Sequence, residues 1–351
     1  MTETSTANFA SDNVAGALPE VVAAVTEAAS VGAMPYGSDP WTERVSVRLR
    51  EVFECNLWAF PVATGTAANA LALSAICPPF GTVLCHPMSH ANTDECGAPE
   101  FYTGGAKLQL VGGPDGRIDP AALDQAIVTA RPHGVHNMPP AAITITQESE
   151  AGTVYSADHV DAIASIAKAH GLALHMDGAR FANALAALDV TAAEATWRRG
   201  IDVLSFGATK GGAMAAEAVI FFRKELAAAF GERRKRGGHL VSKMRFVSAQ
   251  LDGYLADDAW LRAARAANAG AARLATELAG IKGAALVRPP EANIVFVQLP
   301  LPVLDALEVD GFGFYRVGGD GTIRLVVPWS VTDVDVDALV SAIRGHVSTT
   351  A

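Results

Sequence analysis

The sequence lacks the features that mark membrane and secreted proteins. No run approaches the roughly 18 apolar residues that a membrane span needs. The polar N-terminus, residues 1–13, does not show the basic and then apolar pattern of a signal peptide. The four cysteines fit a reduced intracellular chain better than a disulfide framework. We therefore expect a cytoplasmic protein. The cysteines are Cys55, Cys77, Cys85 and Cys96.

Positive charge is also scarce. The net charge of −10 comes from 37 acidic against 27 basic residues. The one basic cluster, residues 233–236, is short and follows Glu232. Neither nucleic acid nor a membrane is an expected partner. The 351 residues are 50% hydrophobic, which is enough for the core of one large domain and a smaller one.

Short apolar runs alternate with helical patterns up to about residue 225. This alternation predicts an α/β domain with a mainly parallel sheet. The candidate strands are 56–62, 82–85, 107–111, 142–146, 172–176, 203–205 and 218–222. The candidate helices are 67–75, 120–130, 157–170 and 181–188.

The remainder of the chain has a different pattern. A long helical stretch at 237–278 is broken near 255–258. Two strands, 293–298 and 322–327, and a closing helix at 333–347 follow it. We interpret this part as a smaller α+β domain. The predicted division is 1–249 for the N-terminal segment and large domain, and 250–351 for the small domain.

Lys210 stands among small residues, in the segment SFGATKGG at 205–212, directly after an apolar run. Asp177 ends the earlier apolar run at 172–176. Pyridoxal phosphate (PLP) chemistry requires such a pair, because the lysine forms a Schiff base and the carboxylate pairs with the pyridinium nitrogen. A lysine among glycines is hard to explain as core or as a solvated helix face. The alternative for Asp177 is an N-cap of the helix at 181–188, for which it lies about two positions too early.

The segment TGTAAN at 64–69 follows a strand-like run and opens a helix. Free N–H groups of a first helical turn, together with the helix dipole, favour a phosphate. Alone this pattern is weak, because any strand-to-helix turn with glycine looks similar. Beside Asp177 and Lys210 it indicates a cofactor-phosphate site. Arg180 offers a fork for a carboxylate or a ring oxygen, although without Asp177 nearby it would be interpreted as a surface arginine.

His90 is a candidate to stack on the cofactor ring and to move protons near neutral pH. A competing interpretation is a zinc site formed by Cys85, His86, His90 and Cys96. Their spacing is not a standard zinc pattern, and Cys85 falls inside a candidate strand. We therefore expect no metal.

Together these segments resemble the threonine aldolases, which are PLP enzymes of the type I (aspartate aminotransferase) fold. The match is closest to the bacterial low-specificity L-threonine aldolase and phenylserine aldolase branch. It covers nearly the whole chain in order, and its HMDGAR block is highly specific. The matching segments are SDN (11–13), PYG (35–37), TGTAANAL (64–71), HANTDECGAPEF (90–101), HMDGARFANA (175–184), SFGATK (205–210) and RLV (324–326).

The resemblance implies a large domain with a mainly parallel seven-stranded sheet and a smaller C-terminal α+β domain. It implies an aldehyde-lyase that cleaves L-threonine, L-allo-threonine or L-phenylserine to glycine and an aldehyde. Relatives are dimers or tetramers with shared sites, so a homo-oligomer, by our expectation a homotetramer, is implied.

The resemblance also implies roles for individual residues. Lys210 would be the Schiff-base lysine, Asp177 the pyridinium partner and His90 the ring-stacking histidine. The other implied contacts are Gly65 and Thr66 to the phosphate, Ser11, Arg180 and Arg324 to the substrate carboxylate, and Tyr36 to the cofactor across a subunit boundary. Basic residues within 233–245 are expected to reach the phosphate of a neighbouring subunit.

Two departures from the family pattern matter. Some relatives have a second active-site histidine after the fourth strand, whereas the corresponding stretch here, QESEAG at 147–152, has none. Glu150 is our candidate for that place, so His90 is the first choice for the catalytic base and Glu150 the second. Gly211 stands where relatives often have asparagine, and we expect it to loosen the local backbone.

Three alternatives stay open. One is another type I PLP activity, either glycine hydroxymethyl transfer or β-elimination; the chain has no evident folate-binding segment, which counts against the former. The second is a PLP-free binding or metal protein with zinc in the 85–96 region. The third is a catalytically weak family member that keeps the fold but has drifted in function, against which the intact set of Asp177, Arg180, Lys210 and Arg324 argues.

Overall fold

Two β-sheets organise residues 8–350, the part of the chain that the computed structural model describes. The larger sheet has seven strands in the order β1-β7-β6-β5-β4-β2-β3. All its neighbouring strands are parallel except β7, which runs antiparallel to both β1 and β6. The predicted α/β fold with a mainly parallel seven-stranded sheet is confirmed. Its strands are β1 (Trp58–Val62), β2 (Thr82–Cys85), β3 (Lys107–Leu110), β4 (Pro140–Thr146), β5 (Ala173–Gly178), β6 (Val203–Gly207) and β7 (Glu217–Phe221).

Helices connect these strands and cover the sheet. Local signals set their ends: in α7 (Ala157–His170) the Ser156 hydroxyl accepts the His159 N–H, and Gly171 ends the helix in a left-handed conformation. The other helices up to residue 255 are α1 (Pro19–Ser30), α2 (Pro40–Val52), α3 (Gly65–Ile76), α4 (His90–Thr93), α5 (Ala98–Thr103), α6 (Pro120–Thr129), α8 (Phe181–Leu188), α9 (Ala192–Ala195), α10 (Lys224–Ala227), α11 (Phe230–Arg236) and α12 (Arg245–Leu255).

The smaller sheet has four strands in the order β10-β11-β9-β8. Its two longer strands match the predicted ones, whereas β8, β10 and α14 were not predicted. The elements are α13 (Ala259–Ala279), β8 (Ala285–Leu286), β9 (Ile294–Gln298), α14 (Leu301–Val309), β10 (Tyr315–Arg316), β11 (Thr322–Val326) and α15 (Asp333–Thr350).

The N-terminal segment and α13 join the two sheets. The Phe9 carbonyl accepts the Val326 N–H at 2.7 Å, and the Phe9 ring is buried in the core of the smaller sheet. At the start of α13, Trp260 packs in the core of the larger sheet, whereas Leu274 near its end packs in the other core. The domain division at residue 250 stays a prediction.

The predicted helical stretch at 237–278 was wrong at its start. The turn at Gly237 and Gly238 ends α11, with Gly238 at φ +79°, and α12 begins only at Arg245. The predicted break at 255–258 is present between α12 and α13. Within residues 8–350, no helix combines the length and the apolarity required to cross a membrane.

The strand directions bring the sequence motifs to one edge of the large sheet. The carboxyl ends of β1, β2, β4, β5 and β6 lie at this edge, and the antiparallel β7 begins there. Binding sites of open α/β sheets form outside the carboxyl ends of the strands. The turns that carry Gly65, His90, Glu150 and Lys210 therefore meet at one place.

Candidate active site

Two adjoining cavities occupy this edge of the sheet. The first has a volume of about 350 Å³, and the predicted cofactor residues line it: Gly65, Thr66, His90, Asp177 and Lys210. The second has about 480 Å³, and its lining includes Ser11, Glu150, Arg180 and Arg324. His90 and Lys210 border both cavities, so they lie where a cofactor and a substrate would meet.

The N-terminus of α3 opens into the first cavity. The Thr64 hydroxyl accepts the Ala67 N–H at 3.2 Å, and the Thr64 carbonyl accepts the Ala68 N–H. These bonds leave the amides of Gly65 and Thr66 for an anion. A Cβ at Gly65 would meet no heavy atom of the described chain within 4 Å, so the backbone here is open to a ligand.

The Lys210 side chain lies between the two cavities and makes no ion pair with any residue that the structure describes. The nearby Arg180 guanidinium, and then burial, lower the pKa of Lys210. Glu150, Asp12 and Asp177 oppose this shift. A lysine amine with a lowered pKa is more often neutral, which is the form that attacks a carbonyl carbon.

Asp177 is held by hydrogen bonds that come from outside its own strand. The Asn69 amide on α3 donates to one Asp177 oxygen at 2.8 Å, and the Ala179 N–H donates to the other at 3.0 Å. The same Asn69 amide donates to Glu95 Oε1 at 2.8 Å. Glu95 Oε1 also lies 2.9 Å from His90 Nδ1. This hydrogen bond to Glu95 raises the pKa of His90 against the opposing effect of burial.

Arg180 forms a buried ion pair with Asp12 of the N-terminal segment. Both Arg180 Nε and a terminal nitrogen lie 2.8 Å from Asp12 Oδ2, and both side chains are 4% exposed. Asn293 donates to the other Asp12 oxygen at 2.6 Å. Burial opposes the charge of Arg180, but Asp12 raises the pKa of Arg180. One edge of the Arg180 guanidinium, which was predicted to bind the substrate carboxylate, is therefore occupied by Asp12.

Arg324 on β11 is held differently. Its guanidinium lies 5.1 Å from the centroid of the Tyr315 ring, and its Nε has no hydrogen-bond partner within residues 8–350. Burial and the nearby Arg180 lower the pKa of Arg324. An arginine with this surplus of unused donors suits the carboxylate of a ligand.

Two further buried acids border the site. Burial raises the pKa of Glu148 to about 8, and neither of its carboxyl oxygens makes a hydrogen bond of ordinary geometry among the described residues. Burial also raises the pKa of Glu217 to about 7, although the Ala208 N–H donates to Glu217 Oε2 at 2.8 Å. Both are candidates to be neutral near pH 7.

Tyr36 lies apart from the other predicted site residues. It is 48% exposed, lines neither cavity of the described chain, and has the Lys235 Nζ over its ring at 4.5 Å. In the predicted basic region, Arg234 donates to the Pro61 carbonyl, and burial lowers the pKa of Arg234 to about 10. Neither Tyr36 nor Arg234 lines the two cavities of the described chain.

Gly211 has a packing role that the sequence did not indicate, and the expectation that it loosens the backbone stays a prediction. A Cβ at Gly211 would overlap Oη of Tyr254, a fully buried side chain of α12. The glycine is therefore a packing requirement of the lysine turn. Among residues 8–350, no three His, Cys, Asp or Glu side chains are grouped so that they could hold a metal ion.

Sequence analysis assigned no role to several residues of this site. Asp12 and Asn69 lie inside the segments that carry the family resemblance, but their partners Arg180 and Asp177 are 168 and 108 residues away along the chain. Such pairings leave no periodic signal. The missed residues are Asp12, Asn69, Glu95, Glu148, Glu217 and Asn293.

Comparisons with known proteins agree with this geometry. The sequence profile of the beta-eliminating lyases matches residues 8–301. Low specificity L-threonine aldolases of Pseudomonas aeruginosa and of a second Pseudomonas strain are both 44% identical to the chain, covering 94% and 97% of it and 94% and 98% of their own lengths. The chain belongs to the threonine aldolase family. A threonine aldolase structure from Leishmania major superposes with a TM-score of 0.90 at 27% identity, covering 96% of this chain and 98% of that one.

Threonine aldolases are PLP-dependent carbon–carbon lyases with the type I fold, so the expected family, fold, enzyme class and cofactor are confirmed. The site fits PLP on three observations. Lys210 has an amine without an ion-pair partner in the described chain, Asp177 has a buried carboxylate, and the backbone at Gly65 is open to a phosphate.

Proposed function

We propose that this threonine aldolase cleaves L-β-hydroxy-α-amino acids, such as L-threonine, L-allo-threonine and L-phenylserine, to glycine and an aldehyde. The observation that carries the proposal is the position of Lys210. Lys210 borders two cavities. The first contains the open amides at Gly65 and the buried carboxylate of Asp177, and the second contains two arginines. An amino acid bound by its carboxylate in the second cavity would present its amine and Cα toward Lys210.

PLP, when bound, supplies the electron sink for the bond that breaks. Lys210 would hold the cofactor, the amides of Gly65 and Thr66 its phosphate, and Asp177 its ring nitrogen. The Asn69 amide and the Ala179 N–H donate to the two Asp177 oxygens and fix the carboxylate at the wall of the first cavity.

The substrate carboxylate would lie against Arg324, Ser11 and the part of Arg180 that Asp12 leaves unused. His90 would take the proton of the β-hydroxyl group, because it borders both cavities and the hydrogen bond to Glu95 raises the pKa of His90, which makes it a stronger base. Glu150 lines the second cavity and is the alternative base. Retro-aldol turnover by His90→Asn at a near-normal rate would favour Glu150.

The first experiment measures aldehyde release from the three substrates by the PLP-loaded protein. We expect release from all three, and loss of it together with the visible absorbance of lysine-bound cofactor in Lys210→Ala. The control is Lys224→Ala, on the exposed part of α10, which should keep both. Ammonia and an oxo acid in place of glycine and aldehyde would instead favour β-elimination.

The finer properties depend on the same assay. Much faster cleavage of phenylserine than of both threonines would indicate an aryl-accepting pocket, and similar rates would indicate a general low-specificity aldolase. We also propose a homo-oligomer, with Tyr36 reaching the site of a neighbouring subunit, because Tyr36 is exposed and lies away from its own cavity. Light scattering tests this assembly, and the homotetramer and cytoplasmic location stay predictions.

A further inference from the structure

His90 and Asp177 are joined by a continuous chain of hydrogen bonds. It runs from His90 Nδ1 to Glu95 Oε1 (2.9 Å), from Glu95 Oε1 to Asn69 Nδ2 (2.8 Å), and from Asn69 Nδ2 to Asp177 Oδ2 (2.8 Å). The Glu95 side chain is fully buried, and Asn69 is 2% exposed. Glu95 and Asn69, in the middle of this chain of bonds, are therefore shielded from water, whereas the His90 side chain is 31% exposed.

The position of Asn69 determines which of its atoms faces the two acids. Its amide group lies between the carboxylates of Glu95 and Asp177, which accept hydrogen bonds when ionised. Only the NH₂ end, with two hydrogens, satisfies both; the carbonyl end would repel both. Asn69 therefore donates one hydrogen to each acid.

This placement determines the proton of His90 as well. An ionised Glu95 has no hydrogen to donate, so its Oε1 accepts from the ring of His90 as well as from Asn69. A bare Nδ1 would place lone pair against lone pair. Nδ1 must therefore carry the proton, which leaves Nε2 as the basic atom of the neutral ring.

We propose that Glu95 and Asn69 are positioning residues: Glu95 holds His90 as the Nδ1-protonated base, and Asn69 ties that pair to the carboxylate of Asp177. Glu95 would also stabilise the imidazolium that forms when Nε2 takes a proton. The catalytic part of this inference rests on the proposed aldolase function, whereas the proton placement does not.

Other charges also act on His90. Asp177 on β5 and Glu150 after β4 favour its protonated form, as Glu95 does, whereas burial opposes it. The second cavity adds Asp94 from the same segment and the cations Arg180, Lys210 and Arg324. Since Glu95 alone among these groups hydrogen-bonds the ring, its removal should have the largest effect on the titration of His90.

The test is nitrogen NMR of the holoenzyme labelled with [15N]histidine, with His90 assigned by the loss of its signals in His90→Asn. In the unchanged protein we expect the Nδ1–H form. In Glu95→Gln, which keeps the acceptor oxygen but removes the charge, the titration midpoint of His90 should move to lower pH. Glu100→Gln is the matched control, because Glu100 lies on the next helix, α5. In this variant the titration midpoint of His90 should not move.

Either of two results would overturn the proposal. One is an Nε2–H tautomer in the unchanged protein, a measurement that does not depend on the folding of any variant. The other is an unchanged midpoint in a folded Glu95→Gln.

Kinetics then separate this inference from the proposed function. In Glu95→Gln, kcat for aldehyde release should fall about tenfold or more near neutral pH, a part of what a general base contributes. The acidic limb of its pH profile should move in the same direction as the NMR midpoint. If the unchanged enzyme releases no aldehyde, the proposed function fails while NMR still decides the proton placement; an active Glu95→Gln with an unmoved pH profile refutes the catalytic role alone.

Discussion

The two sides of the cavity at Lys210 are built in opposite ways. On the side of the large sheet, Asp177, Asn69, Glu95 and His90 are linked to one another by hydrogen bonds of 2.8–2.9 Å. On the side of the N-terminal segment and the small sheet, Arg324 has no carboxylate partner among the described residues.

Arg180 has features of both sides. It contributes to the substrate cavity, yet Asp12 occupies one edge of its guanidinium. The groups on the side of the large sheet are held by partners within the same chain, whereas Arg324 on the other side has donors that an incoming carboxylate would use.

Breaking the buried ion pair between Arg180 and Asp12 should have the largest effect on stability. Asp12→Asn leaves the Arg180 charge buried without its carboxylate, so we expect a loss of about 3 kcal/mol in the free energy of unfolding. Urea unfolding at fixed protein and cofactor concentration measures it. The control is Asp333→Asn. The Asp333 side chain is 84% exposed, so its ion pair with Arg273 should contribute well under about 1 kcal/mol. Equal losses in the two variants would contradict the comparison.

Removing Arg324, the arginine without a carboxylate partner in the described chain, should affect binding instead of folding. Arg324→Gln should lower kcat/KM about 100-fold, mainly through KM, because a charge-assisted bond to the substrate carboxylate is lost. Its stability should not fall, since Arg324 has no carboxylate partner to lose within the described residues.

Arg316→Gln is the matched control for this variant. Arg316 lies on the neighbouring strand β10 and pairs with Asp305 and Glu308 at the surface. We expect it to leave KM unchanged. A KM that is the same in Arg324→Gln and the unchanged enzyme would remove Arg324 from the substrate site.

Glu148 permits a pH-dependent version of the comparison. Burial raises its pKa from the ordinary 4.5 to about 8, so between these values the unfolded chain releases a proton that the folded chain keeps. The contribution of Glu148 to the free energy of unfolding is therefore complete below about pH 4.5. It is lost as the pH rises from about 4.5 to 8, by up to about 1.4 kcal/mol per pH unit. Glu148→Gln should show a flatter decline of stability between pH 5.5 and 7.5, values chosen inside that window. Parallel curves for the two proteins would mean that Glu148 is ionised in the fold.

The fold was largely predictable because it depends on local patterns. The alternation of apolar runs predicted all seven strands of the large sheet, and a pattern as complete as Ser156 to Gly171 set both ends of α7. Two of the missed elements are short, since β8 and β10 have two residues each. The missed α2 has 13 residues and carried a usable signal, since Asp39 caps the helix and Pro40 opens it.

The site was predictable only where a residue type indicates its own chemistry. A glycine-flanked lysine and a strand-end aspartate indicate a cofactor without any partner in view. Asn69 and Asp12 do not, because their roles come from contacts with residues far along the chain. The family resemblance placed them in matching segments but gave no physical reason for their presence.

Gly211 is the clearest case of such a hidden contact, and its substitution should have the smallest of these effects. In Gly211→Ala the new Cβ would overlap the Oη and Cζ atoms of the buried Tyr254 phenol, so we expect a loss of about 1–3 kcal/mol in the free energy of unfolding. The Tyr254 hydroxyl has no hydrogen-bond partner within residues 8–350, and Tyr254→Phe alone should therefore be nearly neutral. In the double variant part of the overlap disappears, which a double-mutant cycle in urea unfolding would detect as a favourable coupling. If the two substitutions were additive, Gly211 would not be retained by Tyr254, and the backbone of the lysine turn itself would have to explain the glycine.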